Sequence, residues 1–103
     1  MNTMMLSLVG PGEMGVLLAS RVKVLRLLKG WTRETMAKRA GVTAASLKRF
    51  EVSGKASLEL VLKVGHALAR LEEFGTLFQP PVAQSIEELE QRTANPTRKR
   101  GRI

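Results

Sequence analysis

Acid, base and nucleophile are scarce in this chain. It has nine glutamates and one histidine, but no aspartate and no cysteine. Glu72 with Glu73, and Glu87 with Glu88, are neighbours in sequence. Helical neighbours point to different sides, so neither pair is placed for acid/base work. His66 has no partner at metal-ligand spacing and reads as a plain helix position. The five methionines form no ligand set. The sequence therefore predicts no catalytic residues, no metal, no cofactor and no enzyme. The residues with a usable chemistry at a useful spacing are cations beside small side chains. Ala44, Ala45, Ser46, Lys48 and Arg49 lie within one short stretch. Leu47 and Phe50, at i and i+3, take the buried face and leave those five outward. Small residues followed by two cations suit a helix entering a groove lined with phosphates. An arginine there can read guanine O6 and N7 together, worth about 1–3 kcal/mol of discrimination.

Such a helix needs a second one to brace it, and residues 33–52 have the spacing of two short helices joined by a tight turn. Ala37 sits one turn before Gly41 on the same face, where a larger side chain would hold the helices apart. Gly41 stops the first helix because it can turn through φ > 0. Val42 plugs the elbow, and Thr43 caps the second helix while also lying within reach of phosphate or base. Arg33 and Lys38 are candidate phosphate clamps, aided by the positive N-terminus of their helix. Glu51 is a candidate partner for Arg39 or Arg21, holding the motif's angle. Trp31 reads as a packing lid.

Charge is segregated along the chain. The net charge is +8. Residues 21–55 hold ten basic side chains against Glu34 and Glu51, a net +8, whereas residues 56–91 come to −4 and residues 92–103 to +5. A surface built only for solubility would mix the signs, so this pattern points to a polyanion on one face.

The remaining punctuation sets the framework. A helix is predicted from about Glu13 to Lys29, with Pro11 at its first turn and Leu18, Val22, Leu25 and Leu28 inward. Gly30 ends it and Thr32 caps the next. Residues 52–56 read as a loop. Ser57 caps a fourth helix with Leu58, Val61, Val64, Gly65 and Leu68 inward, and a short fifth helix is expected from Glu72 to Phe78. The domain plan is an arm (1–12), an all-α five-helix domain (13–78), and a Pro-containing linker with a short helix from Ser85 and a basic, flexible tail (79–103). No stretch is apolar enough to span a bilayer, and Met1 to Val9 lacks the charge pattern of a leader, so a cytoplasmic location is expected.

The runs Arg21-Val-Lys-Val-Leu-Arg, Gly30-Trp-Thr-Arg-Glu-Thr-Met-Ala, Ala40-Gly-Val-Thr and Leu47-Lys-Arg-Phe-Glu resemble the Xre-type (lambda-repressor-like) helix-turn-helix domains. The resemblance covers residues 17–78. It implies that the first helix of the motif lies across the phosphate backbone and the second enters the major groove. Two positions depart from the family's pattern: Arg33 stands where many members have Gln, and Ala44-Ala45 replaces the Gln pair that some use to read bases. A narrower likeness, carried by Lys48-Arg-Phe-Glu, Gly54-Lys-Ala-Ser-Leu-Glu and Leu71-Glu-Glu-Phe, is to HipB-like antitoxins. It implies a HipA-like protein kinase toxin as partner and repression of the chain's own operon. The alternatives are a stand-alone regulator of the same type, or an interaction module that has lost DNA binding. Specific binding by so small a module calls for a homodimer on an inverted-repeat DNA operator, with recognition helices about 34 Å apart. Phe74, Leu77 and Phe78 are the candidate seam, or else they close the monomer core. The tail could follow phosphates or dock on a partner.

Overall fold

Each of the four described α-helices begins where a proline removes, or a side chain satisfies, an orphan amide. The computed structural model describes residues 9–82 and 89–91. Within them lie α1 (Pro11–Leu28), α2 (Arg33–Ala40), α3 (Ala44–Ser53), α4 (Leu58–Ala67) and a 3-10 segment, Leu71–Thr76. Pro11 opens α1, and the Glu13 carboxylate accepts the Gly10 N–H at 2.9 Å. The hydroxyls of Thr32, Thr43 and Ser57 each accept the amide three residues on, at 3.1 Å. Such caps are worth about 1 kcal/mol apiece. Gly41 adopts φ 74°, and the Val42 N–H returns to the Ala37 carbonyl at 3.0 Å, closing a Schellman turn. The predicted arm up to residue 8, the Ser85 helix start and the basic tail lie outside the described residues, apart from a helical backbone at Leu89–Gln91.

α1 packs on α3, while α2 packs on both α3 and α4. Between them Ala19, Met36, Ala37, Leu47, Phe50, Leu60, Val64 and Leu68 form the core, with Val22, Leu25, Trp31, Val42 and Val61 packed around it. The predicted elbow is thus in place.

Four expectations need correction. Of the expected inward face of α1, Val22 and Leu25 pack against the core, but Leu18 and Leu28 are exposed, and the fully buried positions are Ala19 and Arg26. The helix is rotated because its smallest residues meet α3 end-on. A Cβ on Gly15 would lie 2.6 Å from the Gly54 carbonyl oxygen, so only glycine permits the contact. Residues 52 and 53 are not loop; α3 runs on through Ser53 and stops at Gly54, φ 77°. In α4, Leu60 is buried and Leu58 is exposed, because the helix begins one residue after its Ser57 cap and turns Leu58 outward. The fifth element is a 3-10 segment ending at Thr76, not a helix to Phe78. The reason lies at the end of α4. Ala69 takes φ 60° and the Arg70 N–H bonds back to Gly65 at 2.9 Å, so the chain reverses. The edge of the Phe74 ring then lies over Gly65, where an added Cβ would come within 2.8 Å of it.

Candidate nucleic-acid interface

The outward face of α3 carries Ala45, Ser46, Lys48 and Arg49, all exposed, as its periodicity predicts. Ala44 differs: it is half-buried and packs against the core, so its surface is only partly free. The Thr43 hydroxyl has two bonds already. It accepts the Ser46 amide and donates to Ser46 Oγ at 2.8 Å. That pairing leaves Ser46 as the hydroxyl able to donate outward.

The base of α3 is fixed by a buried charge cluster. Glu51 has no exposed side-chain surface. Its Oε2 accepts from Arg26 Nε at 2.8 Å, and its Oε1 from Arg26 Nη2 at 3.0 Å and Arg33 Nε at 2.9 Å. Arg26 Nη1 also donates to the Trp31 carbonyl at 2.9 Å. Glu51 therefore pairs with Arg26 and Arg33, not with Arg39 or Arg21 as expected. Arg39 instead lies over the Trp31 ring, 4.7 Å from its centroid, with Lys29 at 5.3 Å. Trp31 is half-buried against the core, in keeping with the lid reading. Burial pushes the Glu51 carboxyl up, but hydrogen bonds from Arg26 and Arg33 and the two positive charges outweigh it. The net result lies below the ordinary glutamate value of 4.5.

The cluster joins three elements of the motif: α1 through Arg26, the α1–α2 turn through Trp31, and the first residue of α2 through Arg33. It carries two positive charges against one negative. The surplus emerges at Arg33, whose side chain is 33% exposed at the N-terminus of α2. Lys38 is exposed too, but in the last turn of α2. There the helix dipole is negative, so it stabilises a lysine without aiding anion binding. The helix terminus thus assists Arg33 alone, which corrects the shared reading. Arg26 was missed because a hydrophobic-face rule assigns arginine outward. An arginine at an inward register, with a lone glutamate on α3 to meet it, was the available signal.

Of the seam candidates, Phe74 is committed to the monomer through Gly65, while Leu77 and Phe78 are exposed. No helix among the described residues is long and apolar enough to cross a membrane.

Two short packed helices joined by a glycine elbow, with a capped second helix and a cationic outer face, define a helix-turn-helix. A protein-family model described as Helix-turn-helix matches residues 22–73, half of the chain. The chain belongs to that family, in its Xre-type (lambda-repressor-like) form, and is a DNA-binding regulatory domain, not an enzyme. It matches none of the curated proteins with which it was compared.

Proposed function

We propose that the protein is a stand-alone transcriptional repressor that binds an inverted-repeat operator as a two-fold dimer, with α3 in the major groove. The observation that carries this is the outer face of α3. Lys48 and Arg49 stand exposed beside Ala45 and Ser46, on a helix whose angle is set by a buried, fully hydrogen-bonded glutamate. Arg49 and Lys48 read or approach bases, Ser46 donates to a base or phosphate, and Thr43 mainly organises Ser46. Arg33 holds a phosphate with the part of its guanidinium that Glu51 leaves free, and Lys38 adds a weaker, screened contact.

The test is selection of bound duplexes from a random pool, followed by anisotropy titration of the selected site at several salt concentrations. Lys48→Ala and Arg49→Ala should each cost about 1–3 kcal/mol and relax the preference at one position. Arg33→Ala should weaken all sequences alike and reduce the salt slope by about one. A double Lys48→Ala/Arg49→Ala variant with unchanged affinity would overturn the assignment in favour of an interaction module. The antitoxin reading rests on sequence likeness alone, in Lys48-Arg-Phe-Glu on α3 and in the segments that follow it. Recovery of a stoichiometric kinase in a nuclease-treated pull-down would establish it over the stand-alone reading.

A further inference from the structure

α1 has a second face that the described residues leave largely uncovered. Val16, Val24, Leu27 and Leu28 are all exposed, and with Ser20 they fall at helical spacing along one side, distinct from the Ala19 and Arg26 side. Arg21 and Lys23 border that stripe, and neither makes an ion pair among the described residues. A long apolar stripe on a surface helix marks a contact surface.

A complementary feature stands elsewhere on the chain. Leu77 has φ −67° and ψ 136°, Phe78 has φ 56°, and the Gln79 N–H bonds to the Thr76 carbonyl at 3.3 Å. These are the marks of a type II turn, whose third position favours glycine. Phenylalanine sits there at 99% exposure, beside exposed Leu77. A bulky residue held in the left-handed region and turned fully to solvent is strain that no contact among the described residues repays. The 3-10 segment that leads into the knob carries exposed Glu72, which, unlike Glu73 with its partner Arg70, has no ion pair among the described residues. The stripe is apolar between cations, and the knob is apolar and follows a segment that carries an unpaired anion.

We propose that a second copy of this chain covers the stripe. The Leu77–Phe78 knob of each copy seats on the α1 stripe of the other, and Glu72 faces Arg21 or Lys23 across the contact. A two-fold axis makes the two unlike patches meet twice, once in each direction. This rests on the dimer reading above and names both halves of its seam.

The test uses the full chain without DNA, in sedimentation equilibrium. Val24→Glu/Leu27→Glu alters the stripe and Leu77→Lys/Phe78→Lys alters the knob. All four positions are exposed, and thermal melts report whether each variant still folds. Wild type should dimerise, and each variant alone should weaken the dimer at least tenfold. Mixing the two variants should restore a heterodimer, because one seam is then native and the other pairs glutamates with lysines. Four results would overturn the proposal: a monomeric wild type, a stripe variant that still dimerises, a knob variant that still dimerises, or two monomeric variants that do not rescue each other. Binding of each variant to a single half-site duplex, read separately, distinguishes loss of the dimer from failure of the DNA-binding reading. Where an altered pair unfolds the chain, the milder Leu28→Ser and Phe78→Ser variants take its place, with a shift toward monomer expected of both.

Discussion

The two long faces of α1 reverse the usual rule of inside and outside. On one, Arg26 is buried with its guanidinium fully engaged. On the other, four aliphatic side chains stand in water. The buried charge costs desolvation that hydrogen bonds to Glu51 and the Trp31 carbonyl offset, so its net contribution to stability is small even though its loss is not. What the cluster supplies is geometry. It ties α1, the turn before α2, the start of α2 and the recognition helix to one carboxylate. The exposed apolar face makes little contact among the described residues, and in the dimer proposed above it is the surface that a second copy covers. One helix thus braces the recognition helix from its inner side and, on the proposal above, carries the assembly surface on its outer side.

The sharpest way to break that contrast is at Glu51. Glu51→Ala leaves Arg26 buried without a counter-ion and should destabilise the fold by about 3–5 kcal/mol in urea denaturation. Arg26→Met together with Glu51→Leu removes both charges and should recover most of that loss. A double variant as unstable as Glu51→Ala would mean that the cluster stabilises the fold outright. Titration gives a second view. The folded carboxyl lies below its ordinary value of 4.5. Protons therefore bind more weakly to the folded state, and the contribution of Glu51 is complete above the unfolded value. It is lost as pH falls through the folded value. Denaturation midpoints should stay flat in this respect from pH 7 to about 5 and decline below about 4.3, and the decline should be smaller in the double variant.

Gly54 comes next in expected effect, because the inner face of α1 depends on it. It has φ 77°, and a Cβ there would lie 2.6 Å from the Val16 amide nitrogen, which is backbone and cannot move aside. Gly54→Ala carries a left-handed penalty of about 1–2 kcal/mol before that clash is counted. A loss of at least about 2 kcal/mol is expected. A loss below about 1 kcal/mol would show that α1 can slide along α3.

These two positions also mark what the sequence could reveal. Features that act within one turn of chain were legible: the caps at Thr32, Thr43 and Ser57, the stop at Gly41, and the exposed row of α3. Each depends on residues three or four apart. The inward face of α1 was not legible, because Arg26 meets an acid 25 residues away, and one-dimensional periodicity counts arginine as surface. For the same reason Arg33 read as a free clamp when its Nε is bonded to Glu51. Phe78 read as helix because its hydrophobicity fits a helical stripe, whereas backbone reversal at Ala69 had already broken the register.

Ala69 predicts a smaller gain. It occupies the left-handed C-terminal position of α4 at φ 60°, where alanine is strained. Ala69→Gly should stabilise by about 0.5–1 kcal/mol, the relief being partly offset by the freer unfolded chain. Thermal denaturation reads this directly, and a decrease in midpoint would mean that the alanine methyl makes a contact worth more than the strain.

The smallest effect bears on the outer face of α1. Leu28 is 76% exposed, so removing its side chain uncovers almost nothing in the single chain. Leu28→Ser, measured in dilute solution where the monomer prevails, should change stability by no more than about 0.5 kcal/mol. At high protein concentration the same substitution should lower the midpoint relative to wild type, since a dimer adds its association free energy to the folded state. Concentration is therefore the variable that separates the two faces. The effect of Glu51→Ala should be nearly the same at every concentration, and that of Leu28→Ser should grow with it. If Leu28→Ser costs more than about 1 kcal/mol in the dilute monomer, then the outer face is already packed within the chain and the division between the two sides of α1 fails.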